Sequence, residues 1–195
     1  MVAWGDFKES KPDAKVLDRN RTGAQRAYGT NPYTGLDDPD GQPFLFRGDV
    51  DVRAKAMQRV VAMEKGDDAV AWTLDSLRED EDTATVTVGE FAGEPIVIFW
   101  KPGQASALET SSVASGREVG TVGVFSPVVE DQTLTFQAEG DSFIDEETGS
   151  TWNILGEATD GPLTGETLEP ITHLRTFWFS WSTFRPDTEL IEERP

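Results

Sequence analysis

The stretch from Phe143 to Asp187, FIDEETGSTWNILGEATDGPLTGETLEPITHLRTFWFSWSTFRPD, decides how this chain is read. Phe143-Ile144 and Thr151–Leu155 flank Asp145-Glu146-Glu147-Thr148-Gly149, which predicts a hairpin whose glycine takes positive φ. Gly161-Pro162-Leu163-Thr164-Gly165 is a second tight turn, and Leu168–Ile171 is extended. Phe177, Trp181 and Phe184 recur at four and three, the spacing of one helix face, so a short aromatic helix is expected. Arg185-Pro186-Asp187 stops it, and Thr188–Ile191 is extended again. Trp152, Phe177, Trp181 and Phe184 are the expected core of this region, since each such ring removes roughly 150–250 Å² from water.

Upstream, the pattern is also one of strands. Val60–Met63 and Ala69–Trp72 read as a hairpin around the turn Glu64–Asp68. Thr73 is placed to cap a short helix with Leu74 and Leu77 on one face. Thr83–Val88 alternates, and Pro95–Trp100 is apolar enough to be a central strand. Ala105–Thr110 is expected to pair back, Ser111–Gly120 has the composition of a mobile loop, and Gly120–Phe125 and Thr133–Ala138 are further strands. Leu134 and Phe136 share a face by the period of two. Residues 59–195 are therefore expected to form a mainly β domain, an antiparallel sheet or barrel-like arrangement with one or two short helices. Residues 1–58 read as an irregular arm and connector. It opens with a helical Trp4-x-x-Phe7, stops at Pro12-Asp13 and holds the turn formers Asn31–Gly35 and Asp37–Gly41. A short helix is expected within Asp51–Gln58.

Charge divides the chain in the same place. Residues 1–60 carry ten basic and nine acidic side chains, whereas residues 61–195 carry seven and 27, giving −19 overall. A field of that sign repels phosphates and anionic lipid heads, so nucleic-acid partners and membrane association are not expected. Only six of the seventeen basic residues are lysine, and an Asp/Glu-rich, Lys-poor surface suits a halophilic protein, where the screening length falls to roughly 3 Å at 1 M salt. No apolar run approaches the length of a membrane helix, and the first residues lack the basic and apolar regions of a signal peptide. The chain as written is thus expected in the cytoplasm, or exported if its true start lies upstream. It has no cysteine, which excludes disulfides, thiolate metal sites and a cysteine nucleophile.

The two ends resemble each other. Trp4-x-x-Phe7 leads to Pro12-Asp13 and Val16-Leu17, and Trp181-x-x-Phe184 leads to Pro186-Asp187 and Leu190-Ile191. The chain also resembles the domain of unknown function 3179 family of bacteria and archaea. The resemblance lies in Asp145-Glu146-Glu147-Thr148-Gly149-Ser150-x-Trp152, Gly156-x-Ala158, Gly161-Pro162-Leu163-x-Gly165, Leu168-x-Pro170, Phe177-Trp178-Phe179-x-Trp181 and Pro186-Asp187-Thr188, and it extends through Tyr28-Gly29-x-x-Pro32-Tyr33 back to Trp4. It implies two related halves in longer members, so that this chain would hold the end of one half, a connector and all of the other, with Met1 at a truncated or misassigned start. It also implies a Cys-Pro-x-Cys-Gly-like segment as the family's chemistry. The comparable place here, Phe99-Trp100-Lys101-Pro102-Gly103, has no cysteine, so that chemistry does not carry over.

The polar candidates are Asp145, Glu147 and His173. Asp145, Glu146, Glu147 and Thr148 offer oxygen ligands, but not at calcium-loop spacing, and a solvated hairpin tip uses the same residues. His173 is the sole histidine, so a two-histidine metal site cannot be assembled. Gly116, Gly120 and Gly123 follow no strand and open no helix, so they form no phosphate loop. No catalytic, cofactor or metal residue is assigned. The expected function is a non-enzymatic binding or scaffold domain with a protein partner. The alternatives are a carboxylate- or metal-dependent hydrolase working near His173, and a half that needs a partner carrying the cysteine segment.

Overall fold

The computed structural model describes residues 1–21, 23 and 27–193. It is mainly β, with open, largely antiparallel sheets; among the described residues no sheet closes into a barrel. The first sheet starts from the hairpin β1 (Arg59–Lys65) and β2 (Asp68–Thr73), turned at Gly66. The middle sheet joins β3 (Thr85–Phe91), β4 (Glu94–Lys101) and β5 (Thr121–Phe125), with β4 central. A small ribbon follows, β6 (Val128–Val129) with β7 (Gln132–Thr133). The third sheet contains β8 (Phe136–Glu139), β9 (Ser142–Asp145), β10 (Thr151–Trp152) and β11 (Ala158–Asp160), in order β11-β10-β9-β8. The chain then returns to the first sheet. There β12 (Leu174–Phe177) pairs antiparallel with β1, helix α2 (Trp178–Phe184) crosses over, and β13 (Glu189–Ile191) pairs parallel with β2.

Alternation of side chains turns these sheets into layers. On β4, Ile96, Ile98 and Trp100 join Val61, Met63, Trp72, Val122 and Val124 in one core. Val97 and Phe99 point the other way and join Phe125, Phe136, Phe143 and Trp152 in a second. A strand buried on both faces cannot alternate apolar with polar, which is why Ile96–Trp100 is continuously apolar. Phe99 lies flat on Phe143 with ring centroids 4.0 Å apart. The outer face of the first sheet (Val60, Ala62, Ala71) packs against Trp178 and Trp181 in a third core. Each fully buried large apolar side chain contributes about 1.5–3 kcal/mol, so the three cores supply the main stabilisation. Gly120 has φ +63, and any Cβ there would run into the Trp100 indole, so glycine is required twice over.

Four expectations need correction. Residues 51–58 form turns and no helix: the Asp51 carboxylate accepts the Arg53 backbone N–H and offers a local alternative to helical bonding. The segment after Thr73 is a single 3₁₀ turn, Asp75–Leu77, although the Thr73 hydroxyl does accept the Ser76 N–H at 3.2 Å. Ala105–Thr110 makes one bridge, Ala105 to Glu118, and no strand. Phe184 is 81% exposed. Helix α2 begins at Trp178 and buries Trp178, Trp181 and Ser182, and Phe184, its last residue, lies outside that arc. Phe177 ends β12 half-buried under the Arg59 guanidinium, 5.1 Å from its ring centre.

Residues 1–58 carry helix α1 (Trp4–Ser10), a 3₁₀ turn at Arg19–Arg21, and otherwise irregular chain along the sheets. Backbone bonds from Asn31 to Ser111 and from Gly35 to Glu109 tie this arm to the loop before β5. Phe46 meets Phe179 edge-on at 5.2 Å.

Candidate functional site

The three polar candidates do not converge. Asp145 closes the β9–β10 turn with its side chain fully buried, and it accepts bonds from the Trp152 indole N–H (2.9 Å), the Thr148 N–H and hydroxyl, and the Ser150 N–H. Burial alone would raise its pKa, but these donors outweigh it and hold the carboxylate ionised below the usual range. With its lone pairs occupied, Asp145 ties the turn together. Glu147 is exposed at the same turn and accepts the Thr135 N–H at 2.8 Å. His173 lies before β12, its Nδ1 2.9 Å from the Ile171 carbonyl oxygen. Burial, with positive charge at the N-terminus and Arg175, lowers its pKa and keeps the ring neutral near pH 7. Among the described residues, no group of three or more His, Cys, Asp or Glu side chains is arranged to hold a metal ion.

An arginine cluster lies where the arm meets the first sheet. Asp37, fully buried, pairs with Arg59 at 2.7 Å and Arg117 at 3.1 Å and accepts the Ser106 hydroxyl. Arg175 on β12 donates to Gln104 Oε1 and the Val119 carbonyl; burial and the nearby Arg59 lower its pKa to about 10. These residues are far apart in sequence, and no spacing marks them as partners. Asp37 fastens the arm to β1 and to the loop before β5, and Arg175 ties β12 to that loop.

A cleft opens between α1 and the third sheet, with a volume of about 750 Å³. Lys101, the last residue of β4, forms part of its wall and bonds Asp6 Oδ1 of α1 at 3.0 Å. Asp6 Oδ2 is buried and is without a hydrogen-bond partner among the described residues. Across the cleft, Glu157 accepts from Ser10, Lys11 and Asn153. Burial would raise the Glu157 pKa, but these three donors, Lys11 foremost, bring it down to about 2. Five carboxylates (Asp6, Glu9, Asp141, Glu157 and Glu166) line the cleft against two amines, Lys11 and Lys101, so its field is negative. Sequence reasoning missed this site because α1 reaches it only through the fold. The one available signal was Lys101, standing in the segment compared with the family's cysteines.

These features define a layered β domain with a helix-roofed, acid-lined cleft. The chain belongs to the family described as "Protein of unknown function (DUF3179)", whose match spans residues 1–188. No curated protein and no solved structure matches the chain. No helix among the described residues is long and apolar enough to cross a membrane.

Proposed function

We propose that the protein is a non-enzymatic binding domain whose ligand site is the cleft roofed by α1, and that the ligand is a small organic cation. One observation carries this reading: Asp6 lines a cavity where acids outnumber bases five to two, and its Oδ2, enclosed beside the Lys101 pair, is without a hydrogen-bond partner among the described residues. An ammonium or guanidinium group donates the bond that this oxygen lacks, and it is favoured by the surrounding field. Titration calorimetry with spermidine is expected to show saturable binding that Asp6→Asn weakens about tenfold. Binding unchanged by Asp6→Asn, or tight divalent-metal binding lost in His173→Ala, refutes the reading.

The acidity of residues 61–195 supports a second element of the proposal, that the domain works in high salt. Its Tm is expected to rise from low to molar KCl as carboxylate repulsion is screened, and an indifferent Tm refutes this.

A further inference from the structure

Helices α1 and α2 are one structural unit used twice. Each spans seven residues and begins on a tryptophan, Trp4 in one and Trp178 in the other. Each ends on a basic C-cap of nearly the same geometry, Lys11 at φ −126, ψ 65 and Arg185 at φ −132, ψ 67. The cap N–H bonds back to the aromatic residue four earlier, Lys11 to Phe7 at 2.9 Å and Arg185 to Trp181 at 3.0 Å. One turn later, Ala14 bonds to Lys11 and Thr188 to Arg185. The sequences run in step without insertion through Pro12-Asp13 and Pro186-Asp187 to Val16-Leu17 and Leu190-Ile191. The register is therefore Trp4 with Trp178, and not Trp4 with Trp181 as the aromatic spacing alone suggested.

The two copies are buried to different extents: α2 buries three side chains and α1 fully buries none. In α2, Trp178, Trp181 and Ser182 face the sheet and are buried. The strand that follows pairs with β2 through Leu190 to Ala71 and Ile191 to Trp72. In α1 the matching residues are Trp4, Phe7 and Lys8: Trp4 is 57% exposed and Lys8 is exposed, while Phe7 is half-buried with its ring 5.9 Å from that of Trp4. Val16 and Leu17, matching Leu190 and Ile191, are 63% and 82% exposed and join no strand. The other side of α1, Asp6 and Ser10, holds the helix to this domain through Lys101 and Glu157. One face of α1 is thus committed, and the face that α2 uses for its sheet is covered only at Phe7, with Trp4 and Lys8 exposed.

We propose that residues 4–17 dock on another domain of this family, covering the outer face of a sheet like β12-β1-β2 and adding Val16-Leu17 as its parallel edge strand. The occupant is identified by what α2 already covers: small apolar residues such as Val60, Ala62 and Ala71, beside a strand edge free to pair. Lys8 and Lys15 flank the open face, and the second part of this chain, which carries the sheet, is strongly acidic, so attraction supports the contact. The docking residues Trp4, Lys8, Val16 and Leu17 do not line the cleft, so the proposal stands or falls apart from the cation site.

The absence of cysteine and the occupied sheet of the native chain allow a direct test. Trp178→Ala loosens α2 from its own sheet and leaves Trp4 in place. By sedimentation velocity, this full-length variant is expected to form a concentration-dependent dimer about ten times tighter than any wild-type association. Adding Trp4→Ala is expected to abolish the gain, whereas Trp4→Ala alone leaves Tm unchanged because the ring is exposed. Should Trp178→Ala not fold, Trp178→Leu gives the same comparison. A fluorescein-labelled peptide of residues 3–18 is then expected to bind the folded variant about tenfold more tightly than wild type. No dimer and no preferential peptide binding in a folded variant overturns the proposal, as does association indifferent to Trp4→Ala.

Discussion

The layered sheets and the arm are both held by buried groups, but the physics of the two attachments differs. Between the sheets the buried groups are rings: Phe99 on Phe143, and Trp72, Trp100, Trp152 and Trp178 at full or nearly full burial. Along the arm the contacts are ions and polar bonds, buried at Asp37, which pairs with Arg59 and Arg117, part-buried between Asp6 and Lys101, and open to solvent where Lys11 meets Glu157 and Arg53 reaches the Pro186 and Thr188 carbonyls. Apolar burial is non-directional and insensitive to pH. Ion pairs depend on protonation, and a buried charge that loses its partner destabilises strongly. The arm is therefore the part whose attachment solution conditions can alter, and the cleft roof belongs to it.

Substitutions of matched depth sharpen this contrast. Trp152→Ala removes an indole buried in the second core and leaves Asp145 short of a donor, and it is expected to cost about 3–5 kcal/mol in urea unfolding. A loss below about 1 kcal/mol would mean that the rings do not hold the layers. Asp37→Ala strands two arginines and is expected to cost about 3 kcal/mol, at the low end for a buried pair because Arg59 and Arg117 partly reach solvent. Its signature is early proteolysis within residues 27–58, with the sheet core retained. If core and arm are lost together, the two attachments are not separable.

The smallest effect is a pH effect. The folded pKa of Glu157, about 2, lies below its ordinary 4.5, so its contribution to anchoring α1 is complete above pH 4.5. That contribution is lost as pH falls from 4.5 towards 2. Hydrogen exchange is expected to quicken at residues 4–11 across that window in the native protein. Glu157→Gln, which keeps the size and loses the charge, is expected to remove the step; an unchanged step assigns the anchoring elsewhere.

Much of the fold was legible in local pattern. The continuous apolar run Ile96–Trp100 announced a strand buried on both faces, Gly149 bears the positive φ expected of it, and Gly161–Gly165 forms the tight turn expected there. Phe184 was misplaced because helical spacing groups residues without saying which arc meets the sheet: α2 turns Trp178, Trp181 and Ser182 inward, and Phe184, its last residue, falls outside that arc. The cleft was not legible at all. Asp6, Lys101 and Glu157 lie in three distant segments, and no spacing rule links them.

By itself the sequence determined much of the strand pattern, the aromatic content of the cores, the difference in charge between residues 1–60 and 61–195, and the lack of cysteine. These are properties of neighbouring residues, where side-chain period and turn chemistry act over a few positions. Only the tertiary structure decided that Trp178 is interior while its repeat partner Trp4 is at the surface, and that Asp145 is saturated while Asp6 keeps a bare oxygen. Burial and hydrogen-bond satisfaction depend on which distant surfaces meet, and two copies of one local motif meet different surfaces.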